Sequence, residues 1–183
     1  MAGKRQLQLR FPVCGVIELR KASVADAPII AATRRIVWEE TYRGIYPDAM
    51  LDDYELEVQR QKEAARIVQP EYHCYLFMDE DACAGYFSFG PPNYGPYKDF
   101  SLCLNSLYIR EGYKGMGLGR RAFRILHTYA VQQGIRKFYC GCNIHNPKAQ
   151  SFYRHMGGMD GLAFSGHENR SEDIIHFEFY LGE

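Results

Sequence analysis

Gly115, Gly117 and Gly119 alternate within Leu107–Arg120, where an extended segment gives way to a helical one. A turn of this composition can aim several backbone N–H groups at one point. The helix that follows adds the positive end of its dipole at the same place. The group best held there is a phosphate or pyrophosphate, gripped by main chain. Two common phosphate loops are excluded. The dinucleotide fingerprint needs a third glycine where this chain has Arg120 or Ala122, and no Gly-Lys-Ser/Thr triplet follows for a P-loop. Further along, Asn146 precedes Pro147 at the start of a short helical pattern that carries Tyr153. The asparagine suits an N-cap, the proline suits the first helical position, and the phenol can donate a proton.

The elements that must position these groups follow from periodicity. Val16–Lys21 reads as a strand, and Ser23 with Asp26 resembles a capping box. The helix behind it carries Ile29, Ile30, Thr33, Ile36 and Val37 on one side and runs to about Tyr42, where Gly44-Ile45-Tyr46-Pro47 breaks it. Leu51–Val68 is expected to be one further helix, more charged and partly exposed. Tyr72–Met78 and Ala84–Phe89 are strands joined by the acidic turn Asp79-Glu80-Asp81, and Ser101–Ile109 is the strand that feeds the glycine turn. Arg120–Gln133 is a helix with Ala122, Leu126, Tyr129 and Ala130 inward, stopped by Gly134. Lys137–Cys142, Leu162–Ser165 and Ile174–Leu181 are the remaining strands. The order β-α-α-β-β-β-α-β-α-β-β, without linker or repeat, predicts one mixed α/β domain over residues 1–183 with its core at about 16–181.

The chain has 183 residues, 46% of them apolar and 14% aromatic, which is enough for a sizeable core. The 22 basic and 22 acidic side chains cancel, which argues against nonspecific nucleic-acid binding. Residues 1–15 lack the apolar run of a signal peptide, and no stretch approaches a membrane span of about 20 residues. A cytoplasmic protein with no membrane association is expected. Cys14, Cys74, Cys83, Cys103, Cys140 and Cys142 then read as reduced core thiols. Cys140-x-Cys142 with Cys103 and His145 is read as packing and not as a metal site, because the spacing is tighter than zinc pairs use.

Motifs and element order together resemble the GCN5-related N-acetyltransferases. The family's Arg/Gln-x-x-Gly-x-Gly/Ala signature appears as Lys114-Gly115-Met116-Gly117-Leu118-Gly119 after Tyr113, with lysine in the first position. Its Asn-x-x-Ala-x-x-x-Tyr signature appears as Asn146-Pro147-Lys148-Ala149-Gln150-Ser151-Phe152-Tyr153. The resemblance implies a mostly antiparallel twisted sheet flanked by helices, with acetyl-CoA as co-substrate and no metal. It implies that the amides of Lys114, Gly115, Met116, Gly117, Leu118, Gly119 and Arg120 hold the pyrophosphate. The backbone of Leu107, Tyr108 and Ile109 would meet the pantetheine arm at a gap beside the next strand, and Asn146 would touch that arm. Tyr153 would be the acid that protonates the departing thiolate.

The acceptor implied is a primary amine of a small molecule or peptide, and a homodimer is possible on family habit. The base is open: Glu39, Glu40, Asp99 and a water chain are all candidates, because the usual glutamate position falls near Cys103 and Asn105. Trp38, Glu39, Glu40 and Tyr42 could form an acceptor wall, as could Tyr94 and Tyr97, although core packing or a plain surface explains each. A non-catalytic acyl-CoA-binding or regulatory module on the same fold is the alternative from another class.

Overall fold

The computed structural model describes residues 16–92 and 97–182. Cys14 and Tyr94 lie outside the described residues. The chain runs through β1 (Glu18–Lys21), α1 (Ala27–Tyr42), α2 (Asp48–Asp52), α3 (Leu56–Ile67), β2 (His73–Asp79), β3 (Ala82–Gly90) and β4 (Cys103–Ile109). It continues through α4 (Leu118–Gln132), β5 (Lys137–Asn143), α5 (Pro147–His155), β6 (Met159–Phe164) and β7 (Ile174–Tyr180). The strands form one sheet in the order β1-β2-β3-β4-β5-β7-β6. Every neighbouring pair is antiparallel except β4 and β5, which run parallel.

The strands alternate their side chains between two apolar layers, as a period of two requires. On β2 and β3, Phe77, Ala84 and Phe87 join the larger core with Leu118, Ala122, Phe123 and Leu126 of α4 and Tyr153 of α5. Leu76, Cys83 and Tyr86 face the other way and pack with Ile30 of α1. The sheet is therefore sandwiched, with α1 on one side and α4 and α5 on the other. Cys74, Cys83, Cys103 and Cys140 are buried free thiols and Cys142 is a half-buried one.

The expected Leu51–Val68 helix is instead two. The chain turns between α2 and α3 so that Tyr54 is buried, and its hydroxyl donates to the Ala31 carbonyl at 3.1 Å. One aromatic anchor on α1 outweighs continuing a helix through Asp52-Asp53. Helix α4 starts at Leu118, two residues before the position expected, because Gly117 adopts the left-handed conformation (φ 78°) and serves as its N-cap. Strand β4 starts at Cys103 and not Ser101, and β6 starts at Met159 and not Leu162.

Helix α3 looks like a solvent-exposed charged helix, yet its buried residue is Glu63, which is fully covered. Arg34 Nη2 of α1 donates to Glu63 Oε1 at 2.5 Å, and Arg66 Nη1 donates to the same oxygen at 2.8 Å. Arg34 Nε donates to the Tyr86 hydroxyl at 2.8 Å, which ties the pair to β3. Burial pushes the Tyr86 phenol well above its ordinary range, so it stays neutral and accepts. Removing one partner of such a pair strands a buried charge, at a cost of about 3–5 kcal/mol. Glu63→Gln should lower stability by that order in urea denaturation. The double variant Arg34→Met/Glu63→Leu should recover most of the loss, since it leaves no buried unpaired charge and the remaining partner, Arg66, is exposed to solvent.

Candidate functional site

Strand β4 governs the site because its two edges are treated differently. On the β3 side it is paired along its length, with Ser88 opposite Ser106 and Phe89 opposite Leu104. Asn105 is the extra residue between those pairs, a β-bulge. Bulges bend a strand and increase its twist. On the β5 side, pairing is limited to Cys103–Tyr139 and Leu104–Cys140. Past these two pairs the strands part and leave a cleft of about 630 Å³. Leu104–Ile109 of β4 form one wall and Gly141 and Cys142 of β5 the other. The unpaired edge of β4 offers backbone groups that a ligand can meet as a strand would.

One end of the cleft is the glycine turn. A short 3₁₀ turn, Glu111–Tyr113, leads to Gly115 (φ 81°), Gly117 (φ 78°) and the start of α4. The first helical hydrogen bond runs from Arg121 N to Gly117 O at 3.1 Å, so the amides of Leu118, Gly119 and Arg120 lie ahead of the helical ladder. Gly119 also sets how closely α5 approaches, since a Cβ there would stand 2.7 Å from the Phe152 ring. Lys114, Arg120 and Lys148 add positive charge to this end of the lining. Arg120 Nη2 lies 3.0 Å from His155 Nε2, and Lys148 Nζ lies 3.7 Å from the Glu111 carboxylate, which also binds Lys114.

The other end is neutral and aromatic. Asn146 Oδ1 accepts from Ala149 N at 3.1 Å, which makes it the N-cap of α5 with Pro147 behind it. That helix delivers Tyr153 to the cleft, 6% exposed, with no hydrogen bond from its hydroxyl among the described residues. Burial pushes its phenol well above the ordinary value, so it carries its proton at neutral pH. Tyr42 closes the α1 side, stacked on Tyr46 with centroids 4.2 Å apart. The Asn105 side chain also borders the cleft, and its buried Nδ2 has no acceptor among the described residues.

The structure therefore brings Leu107, Tyr108, Ile109, Lys114, Gly115, Gly117, Leu118, Gly119, Arg120, Asn146 and Tyr153 to one cleft. Met116 belongs to the turn, but it is 45% exposed and does not line the cleft. None of the candidate bases lines it either. Glu39 is paired with Arg43, Glu40 accepts from Glu111 N at 2.8 Å, and Asp99 is exposed on a turn. Trp38 stands behind the wall, edge-on to Tyr42, Tyr46 and Tyr54. Tyr97 is buried with Phe100, Cys103 and Tyr139 and accepts from Leu162 N at 2.8 Å, so it braces β6 instead of lining the cleft. No metal-ligand cluster occurs among the described residues.

The family model described as the acetyltransferase (GNAT) family matches residues 30–158. The chain belongs to this family. Solved structures share the fold. PaiA N-acetyltransferase from Thermoplasma acidophilum, in complex with coenzyme A, is 19% identical, with a TM-score of 0.74 over 91% of this chain and 99% of that one. YncA from Salmonella typhimurium, solved with acetyl-CoA, is 19% identical with a TM-score of 0.67 over 92% and 96%. RimL, a ribosomal L7/L12 alpha-N-protein acetyltransferase in complex with coenzyme A, is 18% identical with a TM-score of 0.65 over 93% and 97%. No curated protein matches the chain.

The loop from β5 to α5 is held by a carboxylate that sequence reading passed over. Asp173 meets His145 Nε2 at 2.9 Å and His167 Nδ1 at 2.8 Å, while Asn143 Nδ2 donates to Arg170 O at 2.7 Å. The His145 hydrogen bond, followed by those from His167, holds the Asp173 carboxyl down at about 2. A depressed acid stabilises the fold above its unfolded value, about 3.9, and that contribution disappears as pH falls through the folded value. Wild-type protein should lose stability between about pH 4 and pH 2 that Asp173→Asn has already lost, as thermal melts across that range will register. At the other end of α5, Gly119→Ala should weaken coenzyme A binding about tenfold or more by pressing on Phe152. Adding Phe152→Leu should restore much of it, read by isothermal titration.

Proposed function

We propose that the protein is an acetyl-CoA-dependent N-acetyltransferase acting on a primary amine by direct attack within a ternary complex. The observation that carries this reading is the cleft itself. It runs from the glycine-turn amides to a buried, unpartnered tyrosine hydroxyl, between two strands that part. Backbone N–H groups from Lys114 to Arg120 and the α4 dipole suit a pyrophosphate, with Lys114, Arg120 and Lys148 as counter-charge. The open edge at Leu107, Tyr108 and Ile109 suits the amides of a pantetheine arm, added as an extra strand beside Asn146.

Held there, the thioester sits next to the amine, and proximity lowers the barrier by replacing a bimolecular encounter. The amine nitrogen forms a bond to the acetyl carbon and the carbon–sulfur bond breaks. The proton lost by nitrogen goes to water. Tyr153, kept protonated by burial, supplies a proton to the leaving sulfur and regains one from solvent. Oxygen, nitrogen and sulfur end in their ordinary valences, and no redox partner is needed.

The absence of a carboxylate from the cleft lining favours a second reading, a non-catalytic acyl-CoA-binding module. Thiol release from acetyl-CoA in the presence of an amine panel separates the two. Transfer to some amine, with kcat reduced about 100-fold or more in Tyr153→Phe, supports the enzyme. Firm coenzyme binding without turnover on any acceptor supports the module.

A further inference from the structure

Resting on the acetyl-transfer reading, we infer that the acceptor is a weakly basic α-amine next to an amide carbonyl, as at a peptide N-terminus or in an amino-acid amide. Side-chain and polyamine ammonium groups fit the cleft poorly.

Residues 1–15 and 93–96 contain no aspartate or glutamate, so every acid but the terminal Glu183 lies among the described residues. None of them lines the cleft. The nearest by sequence are Glu40, which precedes Thr41 of the lining and accepts from Glu111 N at 2.8 Å, and Glu111, whose carboxylate is occupied by Lys114 and Lys148.

The other titratable groups of the lining do not replace a carboxylate. Lys114, Arg120 and Lys148 are cations grouped at the glycine turn, and His155 has its Nε2 against the Arg120 guanidinium. Tyr42, from α1, and Tyr153, from α5, are raised by burial and hold their protons. Tyr113 donates its hydroxyl to Asp79 at 3.0 Å, away from the cleft, and Tyr108 on β4 is a further phenol. Burial pushes the Cys142 thiol on β5 up to about 12. No group at the reacting end can take a proton from an alkylammonium or balance its charge, and an ammonium placed there would be an unpaired buried cation.

The amine must therefore arrive neutral. A peptide α-amine, with a pKa of roughly 7.7–8.0, is neutral at pH 7 about 300 times more often than a lysine amine at about 10.4. The adjacent amide carbonyl is what makes such a nitrogen weakly basic, so an acid-free lining points to an amine beside a carbonyl.

The experiment is kcat/KM at pH 7 and at pH 9.5 for an amino-acid amide, a short peptide with a free N-terminus, Nα-blocked lysine, a simple alkylamine and a polyamine. The amide or the peptide should exceed blocked lysine by about 100-fold or more at pH 7, narrowing to about tenfold at pH 9.5. Which of the two leads identifies the small-molecule or the peptide source. Asn105→Asp, which adds a carboxylate to the lining, should raise the use of blocked lysine relative to the amide at pH 7, with coenzyme A affinity reporting that the variant folds. Preference for blocked lysine or the polyamine at pH 7, or a ratio that ignores pH, would overturn this inference and leave acetyl transfer standing. Transfer to no amine at either pH would overturn both.

Discussion

The molecule depends on a pairing that stops early. Strands β4 and β5 share two residue pairs, Cys103–Tyr139 and Leu104–Cys140, and then diverge. A parallel pair that continued would close the sheet and leave no room for a ligand. Asn105 prevents this from the other edge. As the extra residue of a bulge against β3, it turns the rest of β4 away from the β5 axis. The exposed edge that results is a liability in most sheets. Here it is partly covered, because α4 enters at one end of the gap and α5 lies along it.

Holding two strands apart requires that their surroundings be stiff. On the α1 face, the buried contact of Arg34 with Glu63 and Tyr86 fixes α1 and α3 against β3, the strand on which β4 is registered. On the opposite face, Phe152 of α5 fills the space left by the missing side chain of Gly119, so the two helices meet at the glycine turn. At the far end of β5, Asp173 ties His145 of the β5–α5 loop to His167 of its own loop between β6 and β7. Each device is polar or steric and specific to one geometry. The apolar core alone tolerates volume-conserving exchanges and would define the gap less sharply.

The sequence made the parts that follow simple rules legible. Strands β2, β3, β5 and β7 were legible as short extended segments between turns, and the α4 helix was visible from its apolar stripe. The glycine turn and the Asn146 cap were readable because left-handed backbone and N-caps restrict residue type. What escaped depended on tertiary partners. Glu63 in a run of charged residues has the same appearance whether it faces water or a buried arginine. Tyr54 broke a helix that its flanking residues would have continued. Phe123 is an ordinary apolar residue until the sheet places it. The bulge had a signal, since the polar pair Asn105-Ser106 interrupts the alternation of β4, but period-two reading takes such an interruption as noise.

The charge distribution of the cleft gives its two ends different tasks. Lysine, arginine and helix-dipole charge at the glycine turn can take the strongly anionic part of a coenzyme, and that attraction needs no precise placement at the distant reacting end. The lining at the other end lacks formal charge, so on the acetyl-transfer reading position there is set by shape, by backbone edges and by the Tyr153 hydroxyl. A carboxylate beside Tyr153 would draw in ammonium ions and deprotonate them in place, at the cost of desolvating a charge against the aromatic wall of Tyr42 and Tyr46. Without one, the proposed acetyl transfer leaves deprotonation to solvent before the amine enters. On the acetyl-transfer reading, the protein then contributes alignment and one proton for sulfur. That division of labour is consistent with a site assembled from main chain, phenols and one amide.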